Sequence, residues 1–436
     1  MNAFSSPTSA PMQPPPIPFP SKRASDVAFS SLSGGLAVDI AVIGASVAGL
    51  FVAQGLSRLG YRCALIGPDP PLLRQKSGFD QRIFAISPSS WDWMTQQGLS
   101  AAIDAARVGV IDRMHLEAPP WASPPPIVLD AYRAAVDQLA VTVEQSELLA
   151  AGQQAVAMTN VLRLKESLLS LQPEGSGAND GLRSIRLENG QQLSAKLLIG
   201  CDGAHSALRQ FAKVPIRQFD YQSTAVVANF EIDSHHRHTA YQWFSDRGIL
   251  ALLPLPGLAM SMVWSAPQSY AQSLTVLEPE SLCKQVQGFI ETLGSDAPHL
   301  RACINTPASF PLLEILTDRP TANRLLLIAD AAHVVHPMAG QGLNLGIGDI
   351  IELLEVLSGA GARHDPGSVY VLERYARRRA EAVLAISWLT RGLYQAFREP
   401  LPKIASGFAN WAWSRVAGSS MLQSFMVQHA VRQGPR

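Results

Sequence analysis

VDIAVIGASVAG, residues 38–49, is a short β-branched run that ends in a turn of small residues. Such a run predicts a strand buried on both faces, as parallel strands are. Apolar spacing from Val47 to Leu59 predicts a helix, and Tyr61 to Ile66 a second strand, so the stretch is one βαβ unit of about 30 residues. A small-residue turn between strand and helix gathers backbone N–H groups at the positive helix end, where a pyrophosphate is well held. The unit departs from the usual G-x-G-x-x-G pattern in two places. Ser46 replaces the middle glycine, and Gly67 ends the second strand where a carboxylate ordinarily meets a ribose. Asp69 takes that role only if its loop bends back. Alone, the turn is a weak sign, with a plain βαβ turn as the alternative.

Two later stretches repeat the strand-then-turn pattern. In LLIGCDGAHSALR, residues 197–209, a strand runs into Asp202-Gly203 and then a helix. Asp202 offers a carboxylate to ribose or backbone donors, and Gly203 permits close approach, although Asp-Gly is also an ordinary turn. In LLLIADAAHVVHPMAGQGLNLGIGD, residues 325–349, a buried strand ends at Asp330 and a glycine-rich bend opens a long helix at about Gly342. Its first N–H groups face whatever carries developing negative charge.

Between these signals lie sheet-forming segments. Val161–Leu171 and Leu182–Leu187 predict antiparallel strands, and Asn189-Gly190 marks a hairpin before Gln192–Ile199. From Val214 to about Trp264 apolar and polar residues alternate as in a second sheet, with Pro254 and Pro256 interrupting the most apolar stretch. After Gln341 the chain reads as helical almost to its end. The three nucleotide-type signals therefore belong to one domain assembled from distant pieces.

The chain has 436 residues, 47% hydrophobic and 16% charged, with no net charge, so it buries a large core and carries no global field for nucleic acid or an anionic surface. Four scattered cysteines, Cys63, Cys201, Cys283 and Cys303, fit neither a metal site nor a disulfide framework, and the reading is a protein of the reducing cytoplasm. The first residues do not show the charged start and apolar run of a signal peptide, and with no uninterrupted apolar stretch of membrane length neither a signal peptide nor a membrane span is expected. Residues 1–36, rich in Pro and Ser with PMQPPPIPFP at 11–20, are expected to be a disordered tail, a polyproline ligand being the alternative.

In this order and separation the three segments resemble the class A flavoprotein monooxygenases, of which p-hydroxybenzoate hydroxylase is the familiar type. HPMAGQGLNLG together with FDQRIFAIS, residues 79–87, is similar to the ubiquinone-biosynthesis branch, the 2-octaprenylphenol hydroxylase-like enzymes. The resemblance covers roughly residues 38 to 430. It implies an α/β fold in which a Rossmann-like FAD-binding domain is interleaved with a β-sheet substrate domain and followed by a helical C-terminus. The corresponding divisions are a tail 1–36, FAD-domain pieces 37–115, 116–213 and 316–385, a substrate sheet 214–315 and a helical segment 386–436.

The resemblance also implies an activity: FAD, reduced by NAD(P)H, activates dioxygen to hydroxylate an aromatic or polyprenyl-phenol ring. Gly44, Ser46 and Gly49 would form the phosphate loop, and Arg82 would reach the FAD phosphate and ribityl region. Asp202 and Gly203 match the family's Asp-Gly motif, Asp330 would hold the ribityl chain, and Pro337, Gly340, Gln341, Gly342, Leu343 and Asn344 would line the flavin ring. Ala329 replaces the family's glycine. With Ser46 and Gly67 it implies altered or weaker FAD binding. No side chain is assigned as acid or base.

His333 and His336 flank the flavin segment and are expected to position its loop rather than react. His235, His236 and His238 are expected in an exposed turn, not a metal site. Trp243, Phe244, Leu250, Leu252 and Trp264 read either as an apolar wall for the substrate or as core. The segment Leu389–Gln433, with Trp411, Trp413, Leu422, Phe425 and Met426 among Lys403, Arg415 and Arg432, reads either as a packed helical end or as an amphipathic surface for membrane or pathway proteins at the inner membrane face. Competing functions are a hydroxylase of a soluble phenol or polyketide and a non-catalytic accessory subunit. A halogenase lacks support, because Trp91-Asp92-Trp93 is followed by MTQQG, and a prenyl reductase fits the FDQR and HPMAGQGLN segments less well.

Overall fold

The computed structural model describes residues 31–32, 35–71, 78–119, 122, 125–173, 181–336, 340–360, 364–398 and 403–432. The opening strand, Gly35–Ile43, leads through Gly44 to Ser46 into the helix Val47–Arg58 and then the strand Cys63–Ile66. Ordered chain begins earlier than the sequence pattern suggested, since Ser31–Leu32 pairs back on Gly35 and Leu36. The proline-rich stretch at 11–20 lies outside the described residues.

Gly35–Ile43 pairs in parallel with Cys63–Ile66 on one side and Gln192–Gly200 on the other. Leu325–Leu327 adds to the far edge of Gln192–Gly200, and Leu162–Leu164 to the far edge of Cys63–Ile66, both parallel. Segments far apart in sequence thus place their carboxyl ends side by side, and the turns at Gly44, Asp202 and Asp330 meet at one end of the sheet. Open α/β sheets bind ligands there. Every residue of Cys63–Ile66 and Leu325–Leu327 is buried, which accounts for their unbroken apolar runs.

The segment read as one strand, Val161–Leu171, is two, with different partners. Leu162–Leu164 joins the parallel sheet, while Leu168–Leu171 starts the antiparallel run through Arg183–Leu187 to Gln192–Gly200. The break at 165–167 carries Lys165 and Glu166, which alternation alone does not mark as a chain reversal.

A second sheet runs in the order Ala308–Thr317, Ile216–Ile232, Ala259–Pro267, Gly248–Leu255, Thr239–Ser245, Arg113–Leu116, Ile127–Asp130. Arg113–Leu116 and Ile127–Asp130, from outside the span read as substrate sheet, extend its edge. One face packs on the helices Gln268–Thr275 and Pro279–Thr292, forming a core with Val226, Phe230, Trp243, Leu250, Met262 and Trp264. The other face looks toward the carboxyl ends of the parallel sheet. Helices Gln341–Ala360 and Val369–Arg398 return across the first domain, and Lys403–Ala417 and Ser420–Arg432 close the chain.

Candidate active site

A cavity of about 500 Å³ lies between the parallel sheet and the second sheet. Its first wall is the turn after Ile43. Gly44 there has φ +104°, and a Cβ on it would lie 2.5 Å from the Cys201 carbonyl, while one on Gly49 would lie 1.8 Å from the Gly44 carbonyl. No side chain fits at either point, so these glycines make the close turn possible. Ser46 has a different task. Its Oγ caps the helix by accepting from the Gly49 N–H at 3.2 Å and donates to the Cys201 carbonyl at 2.9 Å. The serine that departs from the glycine pattern therefore locks two carboxyl-end turns together, with Ser46, Val47 and Ala48 facing the cavity.

The second strand's missing carboxylate is not replaced by Asp69. Arg163 and Lys165 bind that side chain at 2.7 and 2.8 Å, and Arg163 also donates to the Gly67 carbonyl at 2.7 Å.

Asp202 accepts from the Leu208 N–H at 3.1 Å through Oδ2, which starts the following helix, while its Oδ1 is buried without a hydrogen bond among the described residues. Gly203 lines the cavity with φ +84° and open space where a Cβ would stand.

Asp330 and Arg82 also project into the cavity. The Asp330 side chain is exposed and lines the cavity. Its surroundings are otherwise protein, and burial raises its carboxyl above the usual carboxylate range against the pull of His333 and Arg82. Arg82 meets the rings of Phe84 and Phe310 at 5.8 and 5.0 Å and makes no hydrogen bond or ion pair through its guanidinium among the described residues. Gly340, Gly342, Leu343 and Gly346 complete this side at the start of the helix Gln341–Ala360.

Not every residue expected at the ring faces the cavity. Asn344 is consumed by the backbone: its Nδ2 donates to the carbonyls of Ala85 at 2.8 Å and Gly340 at 3.1 Å, and its Oδ1 accepts from the Ser87 N–H at 2.9 Å. It ties the strand Ile83–Ile86 to the helix start. Gln341 is not part of the lining, and Pro337 lies outside the described residues.

The floor comes from the second sheet: Ala225, Val227, Ile249, Ala251, Leu253 and Val263. Trp243, Leu250, Leu252 and Trp264 point the other way into the helix-covered core, so of the two readings for these four the packing one holds. The cause is the two-residue period of a strand: neighbours Ile249, Ala251 and Leu253 face the cavity because Leu250 and Leu252 do not. Phe244 is buried in a third cluster with Ile249 and Tyr221.

His336 lines the cavity with its ring edge-on to Tyr221 at 4.8 Å, and burial pulls its imidazole down to about 4, so it is neutral at ordinary pH. His333 Nε2 donates to Asp349 Oδ2 at 2.6 Å, an acceptor that sequence reasoning passed over. Asp349 also accepts from the Ala329 N–H at 2.8 Å and from Arg379 Nε at 2.7 Å. Burial would raise this carboxyl, but His333, Arg379 and the Ala329 N–H outweigh it and hold it at about 2. An acid among the apolar residues of GLNLGIGDIIELL was the available signal. His333 thereby ties the turn after Leu325–Leu327 to the helix Gln341–Ala360 through Asp349.

Ala329 occupies the left-handed region at φ +50°, and its methyl lies where a Cβ on Gly346 would come within 2.9 Å. The three-histidine turn is only partly exposed: His236 is 4% exposed and its Nε2 pairs with the Leu255 carbonyl at 2.8 Å. Among the described residues no His, Cys, Asp and Glu group is arranged to hold a metal.

Residues 37–387 match the family described as FAD binding domain. The chain belongs to this family. It is similar to 3-demethoxyubiquinol 3-hydroxylase of Escherichia coli, with 31% identity over 78% of this chain and 85% of the relative. It is likewise similar to ubiquinone hydroxylase UbiL of Rhodospirillum rubrum, with 28% identity over 84% and 83% of the two chains. The mitochondrial ubiquinone biosynthesis monooxygenase COQ6 of Xenopus tropicalis shares 27% identity over 85% of this chain and 89% of its own. Two solved structures share the fold: p-nitrophenol 4-monooxygenase PnpA of Pseudomonas putida, with TM-score 0.70 and 16% identity over 92% and 99% of the chains, and HpxO of Klebsiella pneumoniae complexed with FAD, with TM-score 0.68 and 16% identity over 91% and 99%. The protein is an FAD-dependent monooxygenase. The site suits that cofactor, since a guanidinium without a hydrogen bond or ion pair among the described residues, the Asp330 carboxyl and side-chain-free approaches at Gly203 and Gly342 face one cavity.

Proposed function

We propose that the protein hydroxylates the ring of a polyprenyl-phenol or related quinone precursor, with NAD(P)H as reductant. The observation that carries this reading is a cavity with chemically opposite walls, polar turns on one side and the apolar sheet face on the other. Bound FAD supplies hydride acceptance and oxygen activation. Around it the chain has its own tasks. Arg82 and the turn at Ser46 hold the phosphate end, Asp330 holds sugar hydroxyls, and the N-terminus of the helix Gln341–Ala360 stabilises negative charge on the ring system. Ala225, Val227, Ile249, Ala251 and Leu253 exclude water and seat an aromatic ring. His336, kept neutral, offers a hydrogen-bonding group to a ring hydroxyl without adding charge.

An apolar substrate also gives a role to the chain's end. In the helix Ser420–Arg432, Gln423 and Val427 turn inward, and Ser424 and Gln428 bond the carbonyls of Arg133 and Ala134 at 3.1 and 2.9 Å. Met421, Leu422, Phe425 and Met426 face outward, and Trp411 on the preceding helix is 55% exposed. This apolar stripe would rest on the membrane that stores a prenylated substrate. No described helix is long and apolar enough to cross one.

The test is NAD(P)H oxidation by the FAD-reconstituted protein with and without short-chain prenylphenols. Stimulation by a prenylphenol above that by unsubstituted phenol supports the reading. Equal stimulation favours a soluble phenol, and none at all, with FAD bound, favours an accessory subunit.

A further inference from the structure

The motif Phe79-Asp80-Gln81-Arg82 carries one cofactor-facing side chain, and the structure explains the other three. From the first domain, Glu144 accepts the Asp80 N–H at 2.7 Å, and Asp80 Oδ2 accepts the Ser146 N–H at 2.7 Å. Arg107 pairs with Glu144 at 2.6 Å, donates to the Gly78 carbonyl at 2.9 Å and lies over the Phe79 ring. From the opposite side the second sheet reaches across. Asn229 Nδ2 donates to the Asp80 carbonyl at 2.7 Å and at longer range to the Phe79 carbonyl, while Gln81 Nε2 donates to the Thr306 carbonyl at 2.7 Å.

Asn229 is unusual for its place. It sits fully buried between Ala228 and Phe230 in the strand Ile216–Ile232, and its Oδ1 has no hydrogen bond among the described residues. Burying an amide with an unmet acceptor is costly, so an apolar residue would suit the strand better unless the donor end matters. The amide cannot turn over, because its oxygen would then face two carbonyl oxygens. Its geometry serves the loop and not the strand.

We infer that Asn229 is a positioning residue for Arg82, the point at which the substrate-side sheet fixes the reach of the cofactor arginine into the cavity. The two domains then share one adjustable contact with FAD: a displacement of the strand Ile216–Ile232, whose Ala225 and Val227 line the substrate floor, is transmitted to Arg82 through the Asp80 carbonyl. The inference rests on the proposed role of Arg82 at the cofactor.

The experiment is a double-mutant cycle on FAD affinity, read by quenching of flavin fluorescence on titrating apoprotein, with wild type, Asn229→Leu, Arg82→Ala and the pair. Expected are a roughly tenfold loss of affinity for N229L, a larger loss for R82A, and a pair no weaker than R82A alone. A general structural lesion would instead weaken binding by the same factor in both backgrounds, and that result overturns the inference, as does N229L with wild-type affinity. Asn229→His, which keeps a donor, should recover part of the loss. Gln81→Ala removes the neighbouring tie at an exposed side chain and, should N229L fail to fold, is put through the same cycle with the same two outcomes. If wild type itself fails to bind FAD, the functional reading falls; if wild type binds and the cycle is additive, only the role of Asn229 falls.

Discussion

Replacing Asp349 by Asn removes one charge from a group of three donors that converge on it. Arg379 is 8% exposed and His333 6%, so neither turns to water when its acceptor changes. In the variant one amide oxygen must serve Arg379, His333 and the Ala329 N–H, while the new NH2 faces at least one of them donor to donor. Breaking one side of a buried ion pair costs about 3–5 kcal/mol. Unfolding entropy of about 2.1 cal/mol/K per residue gives roughly 0.9 kcal/mol/K for a 436-residue chain, so the melting temperature should fall by about 3–6 °C. Differential scanning fluorimetry of the apoprotein measures this directly. D349N combined with Arg379→Met removes the stranded cation and should regain at least half of the loss. The linkage has a definite sign. A carboxyl held at about 2 against an ordinary 3.8 stabilises the fold fully above pH 4 and loses that contribution as pH falls toward 2. A D349N protein melting within about 1 °C of wild type at neutral pH would refute the claim that this cluster anchors the loop bearing Asp330.

Ala329→Gly should raise the melting temperature by about 1 °C, because a left-handed alanine costs roughly 1 kcal/mol that glycine does not. Gly346→Ala should lower it in wild type by crowding the Ala329 methyl and be better tolerated in the A329G background; additive melting shifts would count against the contact. His336 titrates near 4 in the folded protein against 6.5 when free, so the unfolded chain binds a proton first and stability declines as pH falls from about 6.5 to 4. Between pH 7 and pH 5 that group contributes about 2 kcal/mol of the decline, and His336→Gln should shrink the fall in melting temperature by about 2 °C; an unchanged pH profile would show that His336 is not buried neutral. Removal of residues 418–436 should abolish co-sedimentation with anionic liposomes, and unchanged sedimentation would assign the outward stripe to another partner.

The βαβ unit and the three carboxyl-end turns were legible because buried parallel strands announce themselves as unbroken apolar runs followed by Gly or Asp. Which face of the second sheet meets the cavity was not legible. Ile249 and Leu250 are equally apolar, both faces of that strand carry apolar side chains, and such a run has no alternation in sequence to fix its phase. The same holds for Ser46. Its sequence reads as a damaged phosphate loop, whereas its Oγ makes a bridge between Gly49 and Cys201 that exists only once distant strands are neighbours. Asn344 reads as a ring-lining residue until the Ala85 carbonyl, 259 residues away, is in place, and the bond of Asn229 to the Asp80 carbonyl, 149 residues away, has no signal in the sequence.

The most direct test of the account is the origin of the oxygen in the product. Holoprotein supplied with NAD(P)H, a short-chain prenylphenol and isotopically labelled dioxygen should yield a hydroxylated phenol carrying one labelled atom per molecule formed. Product bearing oxygen from water, or reductant consumed with no hydroxylated product from any phenol, would contradict it.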